Sequence, residues 1–151
     1  MKKASLFLFA ICVSAFLNAQ VNSTIKVSFN HLALSVKDVN RSAEFYKSVL
    51  KLEEITNRTE IAGIRWMSLG EGKELHLISI LKEDFKINKA IHLALAISGF
   101  DVFVKSLDEL KIAYSDWPGN AHTIHIRADG IKQIYFQDPD SYWIEVNSVA
   151  Q

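Results

Sequence analysis

Between residues 27 and 148 the chain alternates runs of period-two hydrophobicity with two stretches of helical period. The tetrapeptide His-Leu-Ala-Leu opens the pattern at His31 and recurs at His92. In the first copy His31, Ala33 and Ser35 share one face and Leu32, Leu34 and Val36 the other; in the second, His92, Ala94 and Ala96 oppose Leu93, Leu95 and Ile97. The first strand is predicted over 27–36. Asp38 then caps a helix carrying Val39, Ala43, Tyr46 and Leu50 on one stripe, with Glu44 followed by Lys47 and Lys51 on the wet side. Strands follow over 52–56, 64–69 and 73–80, the last two joined by the hairpin turn Gly70-Glu71-Gly72. A charged stretch without periodicity, 81–89, reads as a linker, and the order then restarts. A strand is predicted over 90–98, a helix over 100–111, a short strand over 112–115, an irregular stretch over 116–129, and strands over 131–137 and 142–148 around the turn Asp138–Ser141. The expected fold is therefore α+β, with two tandem βαβββ modules, 27–80 and 90–148, forming a curved, partly open mixed β-sheet.

The first nineteen residues stand apart. Lys2 and Lys3 precede an apolar run over Ser5–Leu17, and Ala19 is a small residue at a cleavage point before Gln20. This is the pattern of a secretory signal peptide, too short to span a bilayer, so the expectation is an exported protein, periplasmic or secreted, with no stable membrane insertion after the leader is removed. Cys12, the single cysteine, would leave with it, excluding disulfides and thiolate metal sites from the mature chain. Lys+Arg and Asp+Glu balance at 17 each, and no basic stripe is interleaved with aromatics, which argues against a nucleic-acid partner.

The duplication carries chemistry. The closing strand of the first module reads Glu74-Leu75-His76-Leu77 and that of the second Trp143-Ile144-Glu145-Val146, each with a metal-capable side chain third, between two aliphatics. A lone strand histidine is ordinarily a core or surface residue, but two at equivalent positions, each sharing a face with small residues, point to a common site. His31, His76, His92 and Glu145 are the predicted ligands of a divalent transition metal; imidazole and carboxylate together suit Zn, Ni, Co, Mn or Fe. Glu74 shares a face with His76 and is its rival. Six-coordinate geometry would leave two positions for adjacent oxygens of a substrate. Arg65, Trp66, Tyr114 and Trp117 are the predicted pocket wall, and His122 and His125 are expected at its rim or in solvent.

Asn30-His31-Leu32-Ala33-Leu34-Ser35-Val36-Lys37-Asp38, with Ser42, Phe45-Tyr46 and Leu50, resembles the opening of the vicinal oxygen chelate proteins, the superfamily of glyoxalase I, bleomycin-resistance proteins and extradiol dioxygenases. Phe136-Gln137-Asp138-Pro139-Asp140 followed by Tyr142-Trp143-Ile144-Glu145 resembles its closing motif, with Ser141 where the family usually has glycine. The resemblance covers nearly all of Phe29–Asn147. By position it assigns His31, His92 and Glu145 to the metal, and places His76 where glyoxalase I-like lyases carry a fourth ligand.

The resemblance implies a metal-dependent lyase or isomerase of the lactoylglutathione lyase type, acting on a small α-hydroxy carbonyl substrate through an enediolate, with Glu145 as the catalytic proton carrier. It also implies a homodimer, in some members with the site between chains. Alternatives are an Fe(II) extradiol-type dioxygenase using His31, His92 and Glu145, an enzyme adding to an epoxide antibiotic, and a metal-free drug-sequestering protein of the bleomycin-resistance kind. A fourth protein ligand at His76 argues against the dioxygenase, and retention of the three ligands against sequestration.

Overall fold

A computed structural model describes residues 28–80 and 87–149. The stretch expected to be a signal peptide, Cys12 and most of the expected linker lie outside the described residues. The element order is β1 (His31–Ser35), α1 (Val39–Leu50), β2 (Glu54–Ile55), β3 (Ile64–Gly70), β4 (Lys73–Ile78), β5 (His92–Ile97), α2 (Phe100–Glu109), β6 (Tyr114–Ser115), β7 (His125–Ile126), β8 (Lys132–Gln137) and β9 (Trp143–Ser148). The duplication gives two mixed sheets. One has the order β1-β4-β3-β2, the other β5-β9-β8-β6 with β7 also paired to β8. Each is one βαβββ unit of the expected tandem, the second with one short strand added inside the stretch expected to be irregular.

The two modules match in register as well as in order. β1 runs parallel to β4 with Ala33 opposite His76, and β5 runs parallel to β9 with Ala94 opposite Glu145. Each sheet thus puts a leucine-rich face on one side and a polar face on the other. Leu34, Val36, Met67, Leu75 and Leu77 from the first sheet and Ile134, Phe136, Ile144 and Val146 from the second belong to one buried cluster, with Tyr46 and Val49 of α1 and Phe100, Val104 and Leu107 of α2. Burying each such side chain contributes roughly 1.5–3 kcal/mol before chain entropy is subtracted. Sharing this core fixes both polar faces on the far side of their sheets. Ala33, Ala94 and Ala96 on those faces are exposed.

Asp38 caps α1 as the sequence predicts, its side chain accepting from the amides of Asn40 and Arg41 at 2.8 and 3.1 Å. The Asp138–Ser141 turn of the second module latches onto this end of the first. Asp140 accepts from the Lys37 amide (2.9 Å) and the Ser42 hydroxyl (2.6 Å), favourable for a carboxylate at a helix start. Asp138 accepts from the buried Tyr46 hydroxyl at 2.9 Å and from the amides of Asp140 and Tyr142. Burial is the largest influence on Asp138 and lifts its carboxyl above the usual range despite those bonds. The Tyr142 hydroxyl closes the seam, donating to the Ser35 carbonyl (3.0 Å) and accepting from its amide (3.1 Å). The aspartates of the closing motif therefore join the modules.

Ser141 has φ 71°, the left-handed conformation that a glycine adopts without penalty. Ser141→Gly is expected to raise the unfolding free energy by about 0.5–1 kcal/mol, the difference between left-handed strain and the extra chain entropy of glycine. A urea unfolding midpoint that fell would contradict this.

Candidate metal half-sites

The four predicted ligands lie on the polar faces, two on each sheet. Among the described residues no three or more His, Cys, Asp or Glu side chains gather into a group able to hold a metal ion. The structure brings His31 beside His76, and His92 beside Glu145. It does not gather all four, because each pair sits on its own sheet and both sheets spend their apolar faces on the common core.

On the second sheet the His92 Nε2 lies 3.0 Å from Glu145 Oε2. The ring's other nitrogen, Nδ1, is 2.9 Å from the Lys89 carbonyl. A carbonyl can only accept, so Nδ1 carries a proton, the usual outer support of a metal-binding histidine, and Nε2 faces the Glu145 carboxylate, the partner with which it would share a cation. Glu145 is buried and clamped on both oxygens. Oε2 accepts from the Tyr135 hydroxyl at 2.5 Å, which in turn accepts from Gln133 Nε2 at 2.8 Å, and Oε1 accepts from Asn147 Nδ2 at 2.7 Å. Burial alone would raise the Glu145 carboxyl; the hydrogen bonds of Tyr135, Asn147 and Gln133, with the charge of His92, outweigh it and hold it below the usual range. Burial, then Glu145, pushes the Tyr135 hydroxyl far above the ordinary phenol range, so Tyr135 remains a donor. A carboxylate held this way stays ionised, as ligation requires.

Tyr135, Gln133 and Asn147 were not among the expected site residues. Their signal was present: with a tight turn at Asp138–Ser141, β8 and β9 pair so that Tyr135 stands opposite Glu145 and Gln133 opposite Asn147. Lys89 closes the edge of this face. Its ammonium donates to Ser115 Oγ and to the carbonyls of Asp116 and Trp117, and lies 4.5 Å from the Tyr135 ring centre and 4.8 Å from that of Trp143. Burial draws its pKa below the usual lysine range.

On the first sheet His31 is exposed, with Nδ1 2.7 Å from Asn30 Oδ1. Its Nδ1 is thereby tied to an oxygen, as that of His92 is. His76 is held differently. Its Nε2 is 2.8 Å from Glu74 Oε2, and Glu74 Oε1 accepts from Arg58 at 2.6 Å. His76, then Arg58, keeps the Glu74 carboxyl below the usual range. The His76 ring lies flat between two others: Trp66 at 4.0 Å with planes 5° apart, and His31 at 4.3 Å with planes 12° apart.

The four predicted wall residues divide. Trp66 lies on the polar face against His76. Trp117 borders the second half-site, 6.3 Å from His92 and 5.4 Å from Tyr135 between ring centres. Arg65 does not join them. It is next to Trp66 on a strand and so points to the opposite side, where it binds Glu54 through Nε (2.7 Å) and Nη2 (2.5 Å) and reaches Asn40 of α1. Tyr114 is likewise turned into the core. His122 and His125 are exposed, His122 beside Asp108. A small cavity of about 200 Å³ lies along the seam between β1 and β5, bordered by Leu32, Ala33, Tyr46, His92 and Trp143.

Two open sheets in tandem, each with a parallel outer pair and a histidine at the start of its first strand, define a duplicated βαβββ scaffold. The family model of the Glyoxalase/Bleomycin resistance protein/Dioxygenase superfamily matches residues 28–146, and the chain belongs to this superfamily. Among curated proteins it is 27% identical over 127 residues to the metallothiol transferase FosB of Staphylococcus saprophyticus, covering 80% of this chain and 76% of the relative. It is 28% identical over 127 residues to the FosB of Staphylococcus epidermidis, covering 80% and 81%. Among solved structures, a glyoxalase/dioxygenase from Nostoc punctiforme superposes with a TM-score of 0.66 at 27% identity, covering 87% of this chain and 99% of that one. The oxidase ChaP-H2 shares the fold at 22% identity with a TM-score of 0.68, covering 83% and 96%.

Proposed function

We propose that this chain is a divalent-metal enzyme acting on a small substrate with adjacent oxygens, and that its metal site is completed by a second copy of the chain. The observation that carries the reading is the pair of half-sites: His92 Nε2 against the Glu145 carboxylate on one sheet and His31 on the other, each histidine with Nδ1 tied to an oxygen. The donor set, imidazole nitrogen with an ionised carboxylate, fits such an ion. His31 of one chain with His92 and Glu145 of the other would hold it. When bound, the ion supplies Lewis-acid polarisation of the two oxygens. Glu145 is the group that moves a proton between adjacent substrate carbons, and to do so it has to give up the Tyr135 hydrogen bond, which recovers basicity lost to that bond. Trp66 and Trp117 form apolar walls that exclude water.

The reaction we favour is a glyoxalase-type rearrangement of an α-hydroxy carbonyl compound. A second reading, addition of a thiol to a strained electrophile, is supported by the two metallothiol transferases among the curated relatives. Protein loaded with Mn(II), Co(II) or Zn(II) separates them. The first reading expects conversion of a 2-oxoaldehyde–thiol hemithioacetal to a thioester, read by ultraviolet absorbance. The second expects thiol consumption with an epoxide phosphonate and no thioester. Failure of both, with no metal retained, would leave a binding protein.

The shared site has its own test. His31→Ala and Glu145→Ala chains are each expected to be inactive, but unfolding and refolding them together should restore about a quarter of wild-type activity, because half the dimers are mixed and each mixed dimer has one intact site. No recovery on mixing would place the site within one chain.

A further inference from the structure

The polar face of the first sheet carries a continuous stack of four planar groups. The Arg58 guanidinium lies 4.5 Å from the Trp66 ring centre, Trp66 lies 4.0 Å from His76, and His76 lies 4.3 Å from His31. Register builds it: Trp66 stands opposite His76 across β3 and β4, and His76 opposite Ala33 across β4 and β1, whose methyl leaves room for the ring to lean toward His31. Glu74 closes the stack from the side by bonding both Arg58 and His76.

An imidazole nitrogen binds a cation along a lone pair in the plane of its ring. The planes of His31 and His76 are 12° from parallel and the rings lie one over the other. One ion cannot lie in both planes. The Nε2 of His76 is moreover committed to a carboxylate that Arg58 also holds. We propose that His76 is a positioning residue: it presses on the His31 ring and fixes its plane, with Trp66 behind it and Glu74 and Arg58 setting its own orientation, so that His31 presents Nε2 in a single direction. This rests on the metal reading above and revises the fourth-ligand expectation for His76. The gain is preorganisation. An exposed histidine at a strand start otherwise swings about two side-chain torsions, and fixing the ring removes that freedom before the ion arrives.

The test compares substitutions that keep the flat ring with ones that remove it. Co(II) titration, followed by the cobalt absorption bands, is made on the wild-type protein and on His76→Phe, His76→Ala, Trp66→Leu and His31→Ala, each first shown by circular dichroism to be folded. Phenylalanine keeps the stack and has no nitrogen. His76→Phe is expected to hold Co(II) within about threefold of wild type with unchanged bands, whereas His76→Ala and Trp66→Leu weaken it about 10- to 100-fold, the range for losing support behind a metal ligand. Loss of binding in His76→Phe as severe as in His31→Ala, with altered bands, would make His76 a ligand and overturn the proposal while leaving the metal reading intact. In metal-free protein the His31 ring protons should be displaced by the ring current of residue 76 in wild type and His76→Phe and relax in His76→Ala; no such difference also overturns it. A wild-type protein that takes up no Co(II) removes the metal reading, and the positioning role with it.

Discussion

Glu145→Ala should lower divalent-metal affinity by about a thousandfold, since one of three proposed protein ligands is lost from a site whose whole binding energy is on the order of 10 kcal/mol. The loss should be specific to the metal. Gln133 still reaches the Tyr135 hydroxyl after the truncation, so the metal-free variant is expected to keep its circular dichroism spectrum and unfold cooperatively. Glu145→Gln is the informative companion. It keeps an oxygen for Tyr135 but gives up the negative charge, and should bind nearly as poorly as alanine if charge on the ion decides the affinity. Isothermal titration with Zn(II) or Co(II) measures all three proteins. Unchanged stoichiometry and affinity in Glu145→Ala would remove this residue from the metal site and leave its clamp of Tyr135 and Asn147 a packing arrangement only.

Phe136→Ala carries the largest expected stability effect. Phe136 is fully buried on β8, tilted against Phe45 of α1 at 6.4 Å and Phe103 of α2 at 5.9 Å. It thus touches both helices and belongs to the sheet that carries Glu145. Truncation opens a cavity at the junction of the modules and is expected to cost about 3–5 kcal/mol. Urea unfolding measures it, with the midpoint falling and the slope held. A cost below about 1 kcal/mol would mean that the modules do not depend on a common core.

Much of the fold could be read from the period of the sequence, because each module repeats a strand with one leucine face and a helix with one apolar stripe. Asp38 announced its helix through capping chemistry, and the structure places the first helical residue at Val39. Strand ends were less legible. The strand expected over 52–56 is only Glu54–Ile55, since that is all that pairs with Met67 and Trp66. β7 was missed because two residues, His125 and Ile126, have no period; only Gln133 and Lys132 across from them make a strand.

The pairing of His31 with His76 and of His92 with Glu145 on matching strands was legible, because duplication marks equivalent positions. The site was not legible where pairing across strands decides. Arg65 and Trp66 were both expected in the pocket although neighbours on a strand face opposite ways, and the ion pair with Glu54 shows which of the two turned inward to the helix. Tyr135 needed the hairpin register. That the described residues do not gather the four predicted ligands into one group depends on which face each sheet buries in the shared core, a property of the tertiary packing that local pattern does not encode.

The flat contact between Trp66 and His76 gives the protein a built-in optical probe. An excited indole senses a flat ring laid against it, and its emission changes when the two part. Emission from Trp66, isolated by subtracting a Trp66→Phe spectrum from that of the wild type, should therefore report whether the ring of residue 76 stays in place, allowing events at this face to be followed without a label or a coloured ion.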